Sequence, residues 1–396
     1  MQTAIAFRLT NSNSSHFFFR PYPPRFHKMF RHPLAKLLLL GQLALMSWMA
    51  QAAAPVEVED VMGRKVSLSL PASRIVLGFY PEDYLAVAGE GGADRLVGMS
   101  RGWFVKSRPA IWSLYVASLP QLAKVPDLGN VQDQSFSIEK TLAVKPDLVI
   151  LAQWQYEALA PDLPRLEQAG IPVVVVDYNA QTLARHMAST LLLGKVTGQE
   201  ARAQKMADEY KARIDTITSR VAQAKRQPPR VYIELGDKGP AEYSYTYGKD
   251  MWGAMALLAG GDNVAAPFVE RWGPIHPEQL LASKPEVILM AGYESVSSAE
   301  AMQVGQDVSA ETVRQRLQGF AARPGWSELP AVQQGRLYAV YHGATRSIMD
   351  AALIEFMAKA LYPDLFEDLD PLATYQGFYR SYLPIRPQGT FMLGIK

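Results

Sequence analysis

The feature that most constrains the fold of this chain is a segment that occurs twice. The first copy runs from Ser137 to Ile150 (SIEKTLAVKPDLVI) and the second from His276 to Leu289 (HPEQLLASKPEVIL). Each copy predicts a short helix with an acidic residue near its start, a break at Lys-Pro, and an apolar strand of the kind that is buried on both faces of a parallel sheet. Two copies so far apart predict two similar lobes, not a solenoid of small units.

Strands and helices are expected to alternate in both halves of the chain. The runs at 171–176 (IPVVVV) and 230–235 (RVYIEL) indicate strands, and residues 182–224 between the halves show a long helical pattern. This order predicts an α/β fold with two parallel-sheet, Rossmann-like lobes joined by one long α-helix, which is interrupted at most near Gly194 to Gly198.

The ligand is expected in a cleft between the lobes. In parallel sheets, ligands bind beyond the carboxyl ends of the strands, where the strand order reverses, and two joined lobes can turn these edges toward each other. The expected divisions of the chain are an extension at 1–28, a signal peptide at 29–54, an N-terminal lobe at 55–180, the linking helix at 181–227 and a C-terminal lobe at 228–396.

The expected signal peptide has three parts. A basic stretch from Met29 to Lys36 precedes a mostly apolar stretch from Leu37 to Trp48, and small residues follow at 50–54. This order is typical of a cleavable secretory signal, and its apolar part is too short for a comfortable permanent membrane span. We expect a periplasmic protein with no direct membrane anchor, and a non-native or disordered extension before Met29.

Charge and cysteine usage exclude several classes of protein. The net charge is +2, but residues 1–54 contain six of the 40 basic residues and none of the 38 acidic ones, so the rest of the chain is acidic overall. The charge therefore gives no support to a nucleic-acid partner. The chain has no cysteine, which excludes a cysteine-held iron–sulfur cluster, a cysteine nucleophile and a lipid-modified cysteine. No phosphate-binding Gly-x-x-x-x-Gly-Lys-[Ser/Thr] motif occurs, so we expect no ATP hydrolysis by this chain.

The twin Glu-x-x-Leu-Ala-x-Lys-Pro-[Asp/Glu] segments, with the predicted lobes, linking helix and signal, resemble the periplasmic binding proteins of ABC importers for ferric siderophores, haem and cobalamin. Asp60-x-x-Gly63-Arg64 and the segment from Pro71 to Val76 also fit that family, and the resemblance extends from Val56 to the C-terminus. It implies a monomeric, non-enzymatic protein without a prosthetic group. Such a protein delivers a small-molecule metal chelate to an inner-membrane permease that a separate ATPase drives.

The resemblance also implies two docking residues. In that family a glutamate from each lobe binds arginines of the permease, and by motif position these are Glu139 and Glu278. Exposed carboxylates on two matched lobes would form a two-point charged contact. The alternative is that each carboxylate only stabilises the N-terminus of its own helix.

Aromatic and basic residues that follow the predicted strands are the candidates for ligand contact. Aromatic side chains supply rigid faces, and arginines can bind carboxylate or catecholate oxygens with two N–H groups. Ordinary core packing is the alternative for each aromatic residue. The candidates are Tyr80, Arg101, Trp103, Trp154, Tyr243, Tyr245, Tyr247, Trp272, Tyr293, His342 and Arg346.

A metal bound directly by the protein is not expected. Beyond the signal peptide the chain has only His186, His276 and His342, and no spacing of ligand residues matches a zinc or manganese site. A metal would arrive inside a chelate, with His342 or a tyrosine at most completing its coordination. We expect a capping role for His276, which precedes Pro277 at a helix start.

Several functions stay open at this point. We expect a ferric siderophore, while haem, cobalamin or a metal oxyanion would suit the same family, and a periplasmic receptor without transport would share the cleft. A secreted serine hydrolase is suggested by Gly98-Met99-Ser100-Arg101-Gly102, which matches G-x-S-x-G. A nucleophile elbow needs a helix directly after the serine, and the stretch from Trp103 to Pro109 is a poor helix start.

Overall fold

Both copies of the repeat fold as a short helix followed by a buried strand in the computed structural model, which describes residues 55–296 and 298–396. Between helix and strand, the lysine of each Lys-Pro pair has a left-handed backbone, with φ of 48° at Lys145 and 46° at Lys284. A left-handed residue followed by proline ends a helix, because proline has no N–H with which to continue it. The predicted break is therefore confirmed in both copies.

The first lobe is built on a four-stranded parallel sheet. Its strands, after the antiparallel hairpin of β1 (Val56–Glu59) and β2 (Lys65–Leu68), are β3 (Ile75–Leu77), β4 (Leu96–Met99), β5 (Leu148–Ala152) and β6 (Val173–Val176). Its helices are α1 (Pro81–Ala88), α2 (Arg101–Ser107), α3 (Pro109–Ser118), α4 (Ile138–Ala143), α5 (Gln153–Ala158) and α6 (Pro164–Gln168), with 3₁₀ turns at Ala93–Arg95 and Pro120–Lys124. The strand order β4-β3-β5-β6 reverses between β3 and β5.

The second lobe contains a larger, mixed sheet. Its strands are β7 (Arg230–Leu235), β8 (Thr246–Tyr247), β9 (Asp262–Asn263), β10 (Trp272–Gly273), β11 (Val287–Gly292), β13 (Leu337–Tyr341) and β15 (Met392–Gly394), while β12 (Gly305–Gln306) and β14 (Gly389–Thr390) form a separate ribbon. Its helices are α9 (Trp252–Leu258), α10 (Pro277–Ser283), α11 (Ala310–Ala321), α12 (Pro330–Gln333), α13 (Ala351–Leu361) and α14 (Pro371–Tyr382), with 3₁₀ turns at Trp326–Glu328, His342–Ala344 and Ile348–Asp350.

The two lobes share one arrangement of parallel strands. In the second lobe β9, β7, β11 and β13 are parallel neighbours in that order, so the reversal between β7 and β11 matches the reversal between β3 and β5. The repeat supplies the equivalent strands β5 and β11. In both lobes an arginine also binds the turn of the repeat: Arg74 Nε donates to the carbonyl of Lys145 at 2.8 Å, and Arg230 Nε donates to that of Lys284 at 3.0 Å.

The linker is two helices and not the single helix that the sequence predicted. Helix α7 (Leu183–Thr197) ends at Gly198, whose φ of 68° is left-handed, and α8 (Glu200–Ala224) begins two residues later. Helix α7 packs on the first lobe, where Val196 accepts a hydrogen bond from the backbone N–H of Ala72. Helix α8 contacts both lobes, because Arg202 Nε donates to the carbonyl of Ala86 and Tyr210 OH donates to Asp350. The break lies where the glycines had indicated.

The predicted extension at 1–28 and signal peptide at 29–54 lie outside the described residues. Within the described part of the chain, no helix is both long and apolar enough to cross a membrane.

The contact between α7 and α8 gives a test of the linker. A Cβ placed on Gly194 would lie 2.4 Å from the Cβ of Ala203, whereas a Cβ on the helical Gly319 meets nothing closer than Pro240 Cγ at 3.7 Å. We expect Gly194→Ala to lower the free energy of unfolding by about 1–3 kcal/mol, because the helices must move apart. Gly319→Ala is the matched control and should raise it by roughly 0.5–1 kcal/mol, the usual gain in a helix. Denaturant unfolding measures both, and equal effects would contradict the close packing.

Candidate ligand-binding cleft

Residues of both lobes line a cleft beyond the carboxyl ends of the parallel strands, and it contains two neighbouring cavities. The first, called the Trp154 cavity, has a volume of about 220 Å³. Its lining residues are Gln153, Trp154, Glu157, Asp177, Asn179, Ala180 and Arg185, and from the second lobe Asp250, Met251, Arg271 and Trp272.

The second, called the Arg346 cavity, has a volume of about 60 Å³. Its lining residues are Phe79, Tyr80, Pro81, Glu82, Asp83, Trp103, Phe104, Ser107 and Arg108, and from the second lobe Tyr293, Gly343, Thr345, Arg346 and Ser347. Two contacts lie between the cavities. The rings of Phe79 and Trp154 meet edge to face with centroids 5.4 Å apart, and Tyr80 OH donates to Asn179 Oδ1 at 2.7 Å. The cleft is thus one region divided by these side chains.

The structure brings six of the eleven candidate ligand residues together on the walls of the cleft. Trp154 and Trp272 line the first cavity. The other four line the second, namely Tyr80, Trp103, Tyr293 and Arg346. They come from both lobes. Five of them follow the carboxyl ends of β3, β4, β5, β11 and β13, where the strand-end rule puts a ligand, and Trp272 lies in β10.

Arg346 is the basic residue of the cleft that is most available to bind an anion. Among the described residues no carboxylate oxygen lies within 4 Å of its side-chain nitrogens. Arg108, in the same cavity, differs because it forms an ion pair with Glu82. The guanidinium carbon of Arg346 lies 5.7 Å from the centre of the Phe79 ring. Burial raises the pKa of Tyr293, and the positive charge of the neighbouring Arg346 opposes that rise. The guanidinium therefore lies beside aromatic rings and forms no ion pair within the described part of the chain.

Backbone strain is concentrated around the cleft. The backbone φ angles of Tyr80, Met251 and Arg346 are 57°, 52° and 58°. Residues other than glycine rarely adopt positive φ angles of this size. Tyr80 and Met251 are the residues just before α1 and α9, the first helices that follow β3 and β7. Strain of this kind persists only where surrounding structure fixes it, and it is common at binding sites.

Two tryptophans offer different surfaces in the Trp154 cavity. The indole Nε1 of Trp154 is buried and has no hydrogen-bond partner among the described residues, so it is an available donor. Trp272 is 47% exposed, and the guanidinium carbon of Arg271 lies 4.9 Å from its ring centre. Arg271 itself donates to Asp250 at 2.8 Å. Trp272 therefore presents an open aromatic face, and its cationic neighbour is already paired.

His342 and Tyr247 lie behind the cleft wall and line neither cavity. Nδ1 of His342 accepts a hydrogen bond from Trp252 Nε1 at 2.9 Å, so its proton is on Nε2. Burial, and then the charge of Arg346, lower the pKa of His342 well below its usual value, so the ring is neutral. Tyr247 stacks on this ring with centroids 6.0 Å apart. No cluster of three or more His, Asp or Glu side chains within the described residues could hold a metal ion.

Three further candidates have positions different from those expected. Arg101 donates to the carbonyls of Ala123 and Val125, so it holds a 3₁₀ turn of the first lobe. Tyr243 packs against Arg323 and accepts a hydrogen bond from Trp326 Nε1 at 2.8 Å. Tyr245 is half exposed and lines neither cavity. Backbone carbonyls hold Arg101 and a core tryptophan holds Tyr243 away from the cavities, whereas Tyr245 faces solvent.

Sequence reasoning missed Arg108, which lines the Arg346 cavity. Its side chain forms a buried ion pair with Glu82, and its Nε donates to Tyr341 OH at 2.7 Å. Its Nη2 is buried without a hydrogen-bond partner among the described residues. The signal for it was the pair of acids directly after Pro81 at the start of α1, since buried acids require cationic or hydrogen-bonding partners.

Arg108 belongs to a buried network that ties the lobes together. The carboxylate of Glu294, in the second lobe, accepts hydrogen bonds from the backbone N–H groups of Ala110 and Ile111 at the start of α3, at 3.1 and 3.0 Å. It also accepts from Tyr341 OH at 2.9 Å, while Tyr379 OH donates to Glu82 at 2.8 Å. The second lobe thus caps a helix of the first with a buried carboxylate.

A second cap runs in the opposite direction. Oδ1 of Asp83, in the first lobe, accepts from the backbone N–H of Ile348 and from Ser347 Oγ, both at 2.9 Å, at the start of the 3₁₀ turn Ile348–Asp350. Each lobe therefore caps an element of the other with a buried carboxyl group. Together these contacts fix the relative position of the walls of the Arg346 cavity.

The two candidate docking residues are exposed at the starts of equivalent helices. Glu139 lies in the first turn of α4, and its Oε1 accepts from Arg165 at 2.7 Å. That hydrogen bond is the main cause that lowers the pKa of Glu139 to about 2. Glu278 lies in the first turn of α10, where His276 Nδ1 accepts from its backbone N–H, as the expected capping role requires. Both residues are exposed.

Ser100 needs one correction. Helix α2 begins directly after it, although the sequence argued against a helix there. The Oγ of Ser100 is buried and has no hydrogen-bond partner among the described residues, so no base lies within reach to activate it. Among residues 55–296 and 298–396, Ser100 therefore forms no hydrogen bond of the kind that joins nucleophile and base in a serine hydrolase.

Comparison with known proteins agrees with this architecture. Residues 110–341, more than half of the chain, match the profile of the family described as periplasmic binding protein. The chain belongs to this family. It is a two-lobe substrate-binding protein of the ABC-transporter type, which confirms the family that the sequence resembled.

Individual relatives carry different printed functions. The chain is 24% identical over 319 residues to YvrC of Bacillus subtilis, an uncharacterized ABC transporter substrate-binding lipoprotein. The alignment covers 79% of this chain and 88% of YvrC. It is 28% identical over 163 residues to the vitamin B12-binding protein of Yersinia pestis, a match that spans 41% of this chain and only 55% of that protein. The fold is also similar to the crystal structure of the TroA-like periplasmic binding protein FepB of Veillonella parvula, with a TM-score of 0.82 and 31% sequence identity. The superposition covers 86% of this chain and 100% of the FepB chain.

Asp83 gives a test of the contact between the lobes. Burial raises its pKa from 3.8 to about 7, although the hydrogen bonds from Ile348 and Ser347 oppose the rise. Between pH 3.8 and about 7 the carboxyl group of Asp83 is ionised in the unfolded chain but still protonated in the folded protein. The contribution of Asp83 to the free energy of unfolding is therefore complete below pH 4 and is lost as the pH rises through 7. Asp83→Asn keeps an acceptor oxygen and removes the titration. We expect the unfolding free energy of this variant to rise relative to the wild type between pH 4 and pH 8, by on the order of 2–4 kcal/mol. Denaturant unfolding at each pH measures the difference, and a constant difference would contradict a buried, titrating carboxyl.

Proposed function

We propose that this periplasmic binding protein is the solute-binding component of an ABC importer for an anionic iron chelate such as a ferric siderophore. It captures the chelate in the cleft and delivers it to an inner-membrane permease that a separate ATPase drives. The observation that supports this most strongly is the Arg346 guanidinium, which lies in the cleft without a carboxylate partner among the described residues. In this proposal the exported protein acts as a monomer in the periplasm, holds no prosthetic group and catalyses no reaction.

The donors of the cleft favour a ligand with several anionic oxygen atoms. Arg346 is an unneutralised cation, Arg108 has a free Nη2, and Trp154 has a free indole N–H. Such donors bind carboxylate, catecholate or hydroxamate oxygens strongly in a partly dry site. Phe79, Trp103 and the exposed face of Trp272 add apolar contact for aryl groups.

The size of the cleft favours a compact chelate over a large macrocycle. Its cavities of about 220 and 60 Å³ are smaller than the 300–1,000 Å³ of typical small-molecule sites. A larger ligand would require wider separation of the lobes and therefore loss of the buried contacts of Glu294 and Asp83. Haem, cobalamin and a metal oxyanion remain the alternatives for the ligand, and titration distinguishes them.

The ligand prediction is tested by tryptophan fluorescence, because Trp103, Trp154 and Trp272 line the cleft. The protein is titrated with ferric catecholate, ferric hydroxamate, ferric citrate, haemin, cobalamin and molybdate. We expect saturable quenching by a ferric chelate, and Arg346→Gln should weaken its affinity at least tenfold through loss of a charge-assisted contact, about 1.4 kcal/mol or more.

The matched control for that experiment is Arg101→Gln, which removes an equal charge from a residue outside both cavities and should leave the affinity within about twofold. Tight quenching by cobalamin or haemin alone would replace the iron chelate with that ligand. Absence of quenching across the panel, or equal affinity in Arg346→Gln, would refute the proposal.

Docking to the permease is tested on the two glutamates. We expect the double variant Glu139→Ala/Glu278→Ala to abolish uptake of the radiolabelled ligand in cells while its affinity for the ligand stays within about twofold, because neither residue lines the cleft. Each single variant should retain part of the uptake, since one charged contact remains.

The control is Glu167→Ala/Glu311→Ala, which removes one exposed helical glutamate from each lobe outside the repeat. This variant should transport normally. Normal uptake by the Glu139/Glu278 variant would show that these carboxylates only stabilise their helices.

A further inference from the structure

Residues 345–350, called the Arg346 segment, belong to the second lobe but are held by side chains from outside it. At one point Asp83 of α1 accepts hydrogen bonds from Ser347 Oγ and from the next backbone N–H, both at 2.9 Å. At the end of the segment Asp350 is fully buried and accepts three hydrogen bonds from the linker and the turn before it. Arg346 therefore lies on a piece of chain whose position depends on two buried carboxyl groups.

Three donors surround the Asp350 carboxylate, and only one of them can carry a charge. Tyr210 OH of α8 donates to Oδ1 at 3.0 Å, and Gln181 Nε2 donates to Oδ2 at 3.2 Å. The third donor is Nε2 of His186 in α7, which lies 3.0 Å from Oδ2. Within the described part of the chain, His186 is the only basic residue that lies within 4 Å of Asp350. The buried charge of Asp350 is therefore neutralised only when the His186 ring is protonated.

Both nitrogens of the His186 ring face acceptors. Nδ1 lies 3.1 Å from the carbonyl oxygen of Thr182, which cannot donate, and Nε2 faces the Asp350 carboxylate. A neutral imidazole has one N–H and leaves one of these contacts without a proton, whereas the imidazolium donates to both. The ring is fully buried and stacks on Tyr210 with centroids 5.2 Å apart, so bulk water does not reach it. These contacts require a doubly protonated ring.

Titratable side chains from four elements act on the His186 ring. They are Asp350 of the 3₁₀ turn, Tyr210 of α8, Tyr178 beyond β6 and Asp83 of α1. Two other charged residues close in sequence or packing are bound elsewhere. Asp177, beyond β6, accepts from backbone N–H groups of its own turn, and Arg185 of α7 donates to the carbonyl of Val61.

The pKa of His186 agrees with this geometry. Burial lowers it, but the charge and hydrogen bond of Asp350 and the charge of Asp83 outweigh burial, so the pKa is raised above 6.5. The pKa of Asp83 is itself raised to about 7, so the charge of Asp83 supports the imidazolium only above that pH. The contribution of His186 to stability is thus complete below pH 6.5 and is lost as the pH rises through the raised pKa.

We propose that His186 is a positioning residue for ligand binding, whose imidazolium holds Arg346 in the cleft through Asp350. Loss of the ring proton leaves the buried Asp350 carboxylate without a cation, and the turn that carries it then separates from α7. Arg346, in the same segment, loses its fixed position, and the cleft binds an anion more weakly. This inference rests on the proposed capture of an anionic chelate, but His186 and the Arg346 segment are measurable without a ligand.

Nitrogen-15 NMR of the histidine-labelled protein tests the protonation directly, with the ring signals assigned from His186→Gln and His276→Gln. We expect protons on both ring nitrogens of His186 at about pH 6 and a titration midpoint above the usual value. Asp350→Asn keeps an acceptor oxygen and removes the charge, so it should lower that midpoint by about one pH unit or more. A neutral ring at low pH, an unshifted midpoint in Asp350→Asn, or no loss of the proton below about pH 10 would overturn the proposal.

Hydrogen exchange tests the Arg346 segment at pH values about one unit below and one unit above that midpoint. Below it, amides of residues 345–350 should exchange about fivefold faster or more in His186→Gln than in the wild type, because the variant lacks the cation. Above it, the wild type has lost the same charge, so the two rates should agree within about twofold. Asp83 is present in both proteins, so its own titration cancels in the ratio.

The matched control is His276→Gln, which changes an exposed histidine at the start of α10 and should exchange like the wild type at both pH values. A ratio between His186→Gln and the wild type that is the same at both pH values would show that His186 only fills space, and would overturn the proposal.

Ligand affinity separates this inference from the proposed function. Tryptophan quenching by ferric catecholate, ferric hydroxamate and ferric citrate is measured for the wild type and His186→Gln at the same two pH values, so that protonation of the chelate cancels. We expect affinity about fivefold weaker or more in His186→Gln below the midpoint, and equal within about twofold above it. Equal affinity at both pH values would overturn the link to Arg346. Absence of quenching by every chelate would refute the chelate proposal, and the exchange ratio would still decide the role of His186.

Discussion

The structure depends on a small set of buried carboxylates that the lobes exchange. Glu294 of the second lobe caps α3 of the first, and Asp83 of the first lobe caps a 3₁₀ turn of the second. Glu82 and Arg108 extend this network to Tyr341 and Tyr379. Wide rotation of the lobes would break the hydrogen bonds that Glu294 and Asp83 accept across the interface, and a hydrogen bond to a charged group contributes about 1.5–3 kcal/mol, so these contacts resist such rotation. The linker adds stiffness, since α8 is one continuous helix that binds both sides.

Much of the fold could be predicted from the sequence because the repeat is a local signal. A helix, a Lys-Pro break and an apolar strand are all specified by neighbouring residues, and the structure has them in both copies. The single linking helix was wrong in one respect, since Gly198 ends α7 in a left-handed conformation. The position of the break was still indicated by the sequence, because glycine is the residue that most easily adopts a left-handed backbone.

The cleft was less predictable because side-chain direction depends on partners from distant parts of the chain. Tyr293 and Tyr243 both follow strands of the second lobe, yet only Tyr293 reaches the cleft, while Trp326 and Arg323 hold Tyr243 elsewhere. Arg108 escaped notice for the same reason: its partners Glu82 and Tyr341 come from separate lobes. Which of two similar residues lines the cleft is decided by tertiary hydrogen bonds that no local pattern contains.

The equivalence of the lobes has a consequence for orientation. A partner with two-fold symmetry offers the same pair of sites to either lobe, so a chain whose two lobes match can dock in two ways that differ by half a turn. The carboxylates of this chain are not equal, because Glu139 already holds Arg165 whereas Glu278 is bound by no basic side chain among the described residues. In the proposed docking, a cation of the permease would have to displace Arg165 from Glu139, whereas it could bind Glu278 directly. That asymmetry would give an otherwise two-fold encounter a preferred order of contacts.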